Sequence, residues 1–225
     1  MELLRRLEVA LAVKRGRGAP PPPVLRRFEQ ARARRTYETL LGRGMSLFRD
    51  RGYLATQAPD IARAAGVSVG AFYRYFESKL ALFVEAAHIG LEINRVDQAA
   101  GFISWRRKIE AGEADGREFL ESVIAWAAAT QYGGSDLMRT FVALSYQDPN
   151  VAALRKAYDE SERRDIARFF TAVTSREQIP SPLAAARVWD LAAEEILRWA
   201  SYEDKRTAVQ TRAALVDMLD RYLFG

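Results

Sequence analysis

The amino-acid sequence predicts an all-α fold, with an amino-terminal three-helix helix-turn-helix domain followed by a larger helical domain. Three observations lead there. Apolar residues recur every three or four positions along most of the 225-residue chain, which is the period of a helix with one buried face. Strict strand-like alternation is scarce, and no repeat of 20 to 50 residues points to a solenoid. Glycine and proline break the pattern at intervals, at Gly112 to Gly116, Gly133-Gly134, Asp148-Pro149 and Ile179 to Pro182.

Taken in order, residues 1–14 place Leu3, Leu4, Leu7 and Leu11 at helical spacing, enough for a short amphipathic helix. The run RGRGAPPPP then forbids a helix and reads as an extended linker, so residues 1–24 form an appendage. Between 24 and 53, Tyr37, Leu40, Leu41, Met45 and Phe48 share one face and arginines occupy the other. Gly52 ends that helix. Thr56 is the expected N-cap of a short helix at 57–65, in whose first turn Pro59 is tolerated. Ser68 caps a second short helix at 69–75, and Ser78 caps a long apolar helix from Lys79 to about Ala99. Further helices are expected near 117–131, 135–147, 150–174, 182–201 and 204–223. The expected domains are therefore 1–24, 25–80 and 81–225.

Composition narrows the chemistry. Apolar residues make up 49% and no run approaches the roughly 18 residues needed to span a bilayer, so no membrane partner is expected. The first residues, interrupted by Glu2, Arg5, Arg6 and Glu8, do not read as a secretory signal. With no cysteine and one histidine, His88, the chain lacks the ligands of most zinc sites and the base of a serine hydrolase. No cofactor, metal or catalytic residue is expected, and a cytoplasmic setting fits. Charge is unevenly divided. Residues 1–80 hold 16 Lys+Arg and 7 Asp+Glu, and the remaining 145 hold 18 and 22, so +9 faces −4. A basic first third is what a chain needs when one end meets a polyanion.

The stretch QAPDIARAAGVSVGAFYRYF fills the positions of a helix-turn-helix. Ile61, Ala65, Val67 and Phe72 supply the seam between two helices. Ala62 is small where they cross, and Gly66 stands in the tight turn where a positive φ is required. The second helix is left to project with its first residues toward a major groove.

From Tyr37 through Phe83, and most closely in GYLAT and DIARAAGVSVGAFYRYFESK, the sequence resembles the DNA-binding domain of the TetR family. It departs at Leu80, where the family commonly has an acidic residue, and at Pro59, where a polar one is usual. The resemblance implies phosphate contacts by Thr56 and Gln57 at a helix N-terminus, by the hydroxyls of Tyr73 and Tyr75, and by the ammonium of Lys79. Base reading falls to Ser68, Val69, Gly70 and Ala71, which are small enough to meet thymine methyls, and Arg74 can reach a guanine edge or a phosphate. The arginine-rich arm with Arg26, Arg27, Arg32, Arg34 and Arg35 suits the DNA backbone or minor groove.

The same resemblance implies that the carboxyl-terminal helices bind a small effector and form a homodimer on a palindromic operator in double-stranded DNA. Aromatic content favours a flat or apolar ligand, with Phe83, His88, Trp105, Trp126, Phe141 and Tyr146 as candidate pocket residues. Trp189, Ile196, Trp199, Leu215, Leu219 and Tyr222 lie on the apolar stripes of the last two helices and are the candidate dimer surface. The expected function is a sequence-specific transcriptional regulator, a dimeric repressor released by its ligand. The alternative is a ligand-independent or activating regulator of the same fold.

Overall fold

A computed structural model describes residues 30–129 and 136–225. The expected first helix, the proline linker, Arg26 and Arg27, and the loop with Tyr132 and Gly133-Gly134 lie outside the described residues. Among those described there are nine helices and no strand: α1 (Ala31–Arg51), α2 (Ala58–Ala64), α3 (Val69–Tyr75), α4 (Lys79–Glu110), α5 (Gly116–Ala127), α6 (Asp136–Ser145), α7 (Pro149–Val173), α8 (Pro182–Ala200) and α9 (Lys205–Leu223). None of them is long and apolar enough to cross a membrane.

The chain divides into two compact units. One comprises the residues up to Asp97 together with Arg139–Leu154, and the other comprises Gln98–Met138 and Arg155–Gly225. The division falls within α4 and not ahead of it.

In the first unit α1 buries Tyr37, Leu40, Leu41, Gly44 and Phe48, spaced three or four apart, as its sequence requires. Against this stripe pack Ile61 and Ala62 of α2, Phe72 of α3, then Phe76, Leu82 and Phe83. The rings form two groups: Tyr37 stacks on Phe76 at 5.4 Å and Phe76 meets Phe72 at 5.7 Å, while Phe48 meets Phe83 edge-on at 5.6 Å. Each fully buried Phe stabilises the unit by about 2 kcal/mol. Gly44 makes this packing possible, because a Cβ there would stand 2.6 Å from Cδ2 of the fully buried Leu82.

Two expectations are corrected. The expected long helix ended near Ala99 but α4 continues to Glu110. The glycine at 101 costs about 1 kcal/mol in a helix, less than the burial recovered when Phe102, Trp105 and Ile109 pack on the second core. Thr56 is not an N-cap. That position belongs to Gln57, whose backbone N–H donates to Asp60 Oδ2 at 3.1 Å.

The second unit is built on Phe119, Leu120, Ile124, Phe169, Phe170, Trp189, Leu215 and Leu219. Helix α5 opens with a reciprocal cap: Asp115 Oδ1 accepts from Glu118 N at 2.8 Å, and Glu118 Oε2 accepts from Asp115 N at 3.0 Å. Arg117 joins α5 to α9 through Asp217 at 2.7 Å and Asp220 at 3.4 Å.

Gly66 has φ +69°, where a side chain is strained. Gly66→Ala is expected to lower the unfolding free energy by about 1 kcal/mol, measured by urea denaturation.

Candidate nucleic-acid interface

Helices α2 and α3 contain seven residues each, too few to stand alone, and their ends are tied accordingly. Helix α2 closes on Gly66, whose N–H donates to Arg63 O at 3.1 Å while Val67 N donates to Ala62 O at 3.0 Å. This satisfies carbonyls that a helix end otherwise leaves open. Ser68 then opens α3, its Oγ accepting from Ala71 N at 3.1 Å. Ala71 and Phe72 face inward, with Phe72 showing no exposed surface.

Helical geometry turns the neighbours outward. Ser68, Val69, Gly70, Tyr73 and Arg74 are exposed, Val69 by 39% and Tyr73 by 52%. The Tyr73 ring stands edge-on to Phe72 at 5.3 Å, which leaves its hydroxyl end directed off the core. Ala71 is buried, so the expected row of base-reading residues loses that member: its methyl fills the helix crossing.

The turn before α2 is also internally committed. Thr56 is 1% exposed and its hydroxyl donates to Gly52 O at 2.9 Å and to Leu47 O at 3.3 Å. It locks the end of α1 and cannot meet a phosphate. Gln57 is exposed, and its side-chain amide donates to Leu54 O at 3.3 Å. Lys79 Nζ donates to Tyr53 O at 2.9 Å and sits 4.3 Å from the centre of the Tyr53 ring. Burial holds its ammonium below the ordinary lysine range. Tyr75 is half-buried and engaged within the protein. Arg32 and Arg35 lie on α1, and Arg34 pairs with Glu38 at 2.8 Å.

The sequence pattern described as "Bacterial regulatory proteins, tetR family" matches residues 40–86, which run from the middle of α1 into α4. Residues 40–86 thus carry the TetR-family pattern. It is 33% identical over 109 residues to the HTH-type transcriptional repressor KstR2 of Rhodococcus jostii, a stretch that is 48% of this chain and 47% of that protein. It is 38% identical over 61 residues to an HTH-type transcriptional regulator of Bacillus subtilis, 26% of this chain and 21% of that one. The chain thus matches at most about half the length of these relatives. A structure described as a TetR-family transcriptional regulator from Mesorhizobium loti shares the fold with TM-score 0.61 and 18% identity, over 86% of this chain and 98% of that one. A regulator from Saccharomonospora viridis, solved with choline, does so with TM-score 0.54 and 18% identity, over 84% and 95%.

Several side chains that the TetR resemblance implies for a ligand pocket have other surroundings. Phe83 is 2% exposed and packed between Phe48 and Tyr53 in the helix-turn-helix core, so it serves packing. His88 is exposed on α4, and Tyr146 is 80% exposed at the end of α6. Both were expected to wall a pocket, and both instead face outward because their turns of helix present another face to the core. Phe141 is buried in the first unit, whereas Trp105 and Trp126 are half-buried in the second.

Of the candidate dimer residues, Trp189, Leu215 and Leu219 point inward, at 6%, 2% and 1% exposure, and fill the second core. Ile196 is half-buried, while Trp199 and Tyr222 are 61% and 46% exposed. Val188, Leu191 and Met218, at 46%, 56% and 45%, join that outer stripe. Periodicity finds both faces of such helices but cannot say which is outermost.

Thr56→Val keeps the volume and removes both hydroxyl contacts. Urea denaturation is expected to show a loss of about 1–2 kcal/mol. The salt dependence of DNA binding is expected to stay unchanged.

Proposed function

We propose that this protein is a sequence-specific DNA-binding transcriptional regulator, a homodimer acting as a repressor on a palindromic operator and released by a small, largely apolar or aromatic ligand. The observation that carries the reading is the exposed row on α3, held in place by the buried Phe72 beneath it. Val69 offers methyl groups to thymine, and Gly70 lets the backbone approach a base edge closely. Ser68 reads at the start of the helix, and Arg74 has the fork geometry for guanine or phosphate. Tyr73 and Gln57 serve the phosphates, and Tyr75 does so from the edge of the helix. Lys79 has two N–H groups beyond the one given to Tyr53 O, and these are its phosphate donors.

Two copies are needed because one seven-residue helix covers too few base pairs to specify a site, and two heads about one turn of B-DNA apart read a palindrome. The stripe of Val188, Leu191, Trp199, Met218 and Tyr222 is the surface that association covers. The effector is assigned to the second unit, where Trp105 and Trp126 are half-buried beside an aromatic core. A fold neighbour solved with choline supports a small organic effector. Release requires that the ligand prefer the state that does not fit DNA.

Selection of bound sequences from random duplex DNA at fixed salt tests the reading, with a palindrome as the expected product and no enrichment as the result that ends it. Tyr73→Phe is expected to weaken binding to every sequence alike by about 1 kcal/mol, measured by fluorescence anisotropy, whereas Val69 variants change which sequence is preferred. Trp199→Asp is expected to convert a dimeric mass to a monomeric one in sedimentation equilibrium while leaving helicity intact.

A further inference from the structure

The second unit holds a mixed charge network where α7 faces α8 and the later part of α4. Arg155 pairs with Glu194 of α8 and approaches Asp159 at 3.8 Å. Arg163 pairs with Asp190 at 2.7 Å and reaches the same Asp159 Oδ2 at 3.8 Å. Glu162 lies between them on α7, half-buried, and its Oε1 accepts from Gln98 Nε2 of α4 at 2.7 Å. Four carboxylates, Asp159, Glu162, Asp190 and Glu194, therefore meet two guanidiniums. Both arginines are committed to other carboxylates, and the hydrogen bond described for Glu162 comes from a neutral amide.

We propose that Glu162, Gln98 and this network form a proton-responsive latch in the second unit, in which Glu162 takes up a proton and thereby strengthens the packing of α4, α7 and α8. Two uncompensated negative charges in a half-buried contact repel each other, and a proton on Glu162, which none of the ion pairs described here engages, relieves most of that repulsion. The groups that act on Glu162 are Gln98 of α4, which donates to it, and the charges of Asp159 from its own helix and of Asp190 and Glu194 from α8, with Arg155 and Arg163 of α7 paired to those three carboxylates. Burial, first, and these three carboxylates raise its pKa to about 7 against the Gln98 bond, which lowers it. Asp159 is likewise raised to about 6, by burial and then by Asp190 and Glu194, against Arg155 and Arg163. The one histidine of the chain, His88, lies in the first unit, so titration near neutrality in the second falls to a carboxylate. Gln98 opens the part of α4 that belongs to the second unit, so every member of the latch lies within that unit.

The sign follows from linkage. Below the ordinary glutamate range both folded and unfolded chains hold this proton. Above it the folded chain alone keeps the proton, until pH rises through about 7. The stability contributed by the proton is present at low pH and lost as pH rises toward and through that value.

Unfolding of the full chain by urea, for wild type and Glu162→Gln, is measured from about pH 5 to about pH 8. The ratio of wild-type to variant unfolding constants is expected to rise with pH, by up to about tenfold per unit. Carbon NMR of glutamate carboxyls in wild type is expected to show one resonance titrating near neutrality. Gln98→Leu, which removes the amide donor, is expected to move that midpoint upward. A ratio independent of pH overturns the inference, as does the absence of any glutamate titrating above the usual carboxylate range. The NMR arm decides the matter if Glu162→Gln does not fold. None of these readouts uses DNA, so failure here leaves the regulatory reading intact and the reverse also holds.

Discussion

The burial of Phe72 is the constraint on which the interface depends. A seven-residue helix has almost no stability of its own, and this side chain, with no exposed surface, fastens α3 to α1 through Phe76 and Tyr37. Because successive residues on a helix lie about 100° apart, fixing Phe72 inward also turns Gly70, Tyr73 and Arg74 outward. The surface proposed to meet DNA is thus a consequence of core packing. Rigidity matters as much as exposure, since side chains that read bases must be held before the duplex arrives.

The turn between α1 and α2 shows how polar groups serve the same end. Thr56, Lys79 and Gln57 all look like donors to phosphate on paper. In the folded unit Thr56 is consumed in fastening the end of α1, and Lys79 spends one N–H on the Tyr53 carbonyl while its charge rests on the Tyr53 ring. A cation over an aromatic face contributes about 0.5–2 kcal/mol, comparable with the contact it would make to DNA at a surface. Gly44, where α1 and α4 come too close for a Cβ, belongs to the same packing. That glycine was invisible to a reading concerned with turns, because it sits in mid-helix and its reason is a neighbour 38 positions away in Leu82.

The second unit works differently. Its aromatic core is shared among α4, α5, α7 and α8, with Phe119 against Phe169 at 4.3 Å and Trp189 at 6.0 Å. The apolar spacing of Trp189, Leu215 and Leu219 suits a partner-facing stripe, yet they complete this core, and the outer stripe of Val188, Leu191, Trp199, Met218 and Tyr222 remains uncovered within one chain. A helix with apolar residues on two faces gives the same periodic signal for both. The charge network beside the core was not anticipated at all, since its members lie 64 residues apart along the chain at their widest hydrogen bond, between Gln98 and Glu162.

Local rules sufficed for what is local. Helix periodicity placed the elements, and Gly66 with its positive φ and Ser68 with its cap were readable because their partners lie within a few residues. The motif from Tyr37 to Phe83 carried the family likeness for the same reason. The exposure of His88, the packing of Phe83, the inward turn of Ala71 and the burial of Thr56 could be decided only by other helices arriving from elsewhere. Burial is a property of the assembled fold: a side chain's own neighbours in sequence constrain its direction to one face of a helix, but only the tertiary structure determines whether that face meets protein or water.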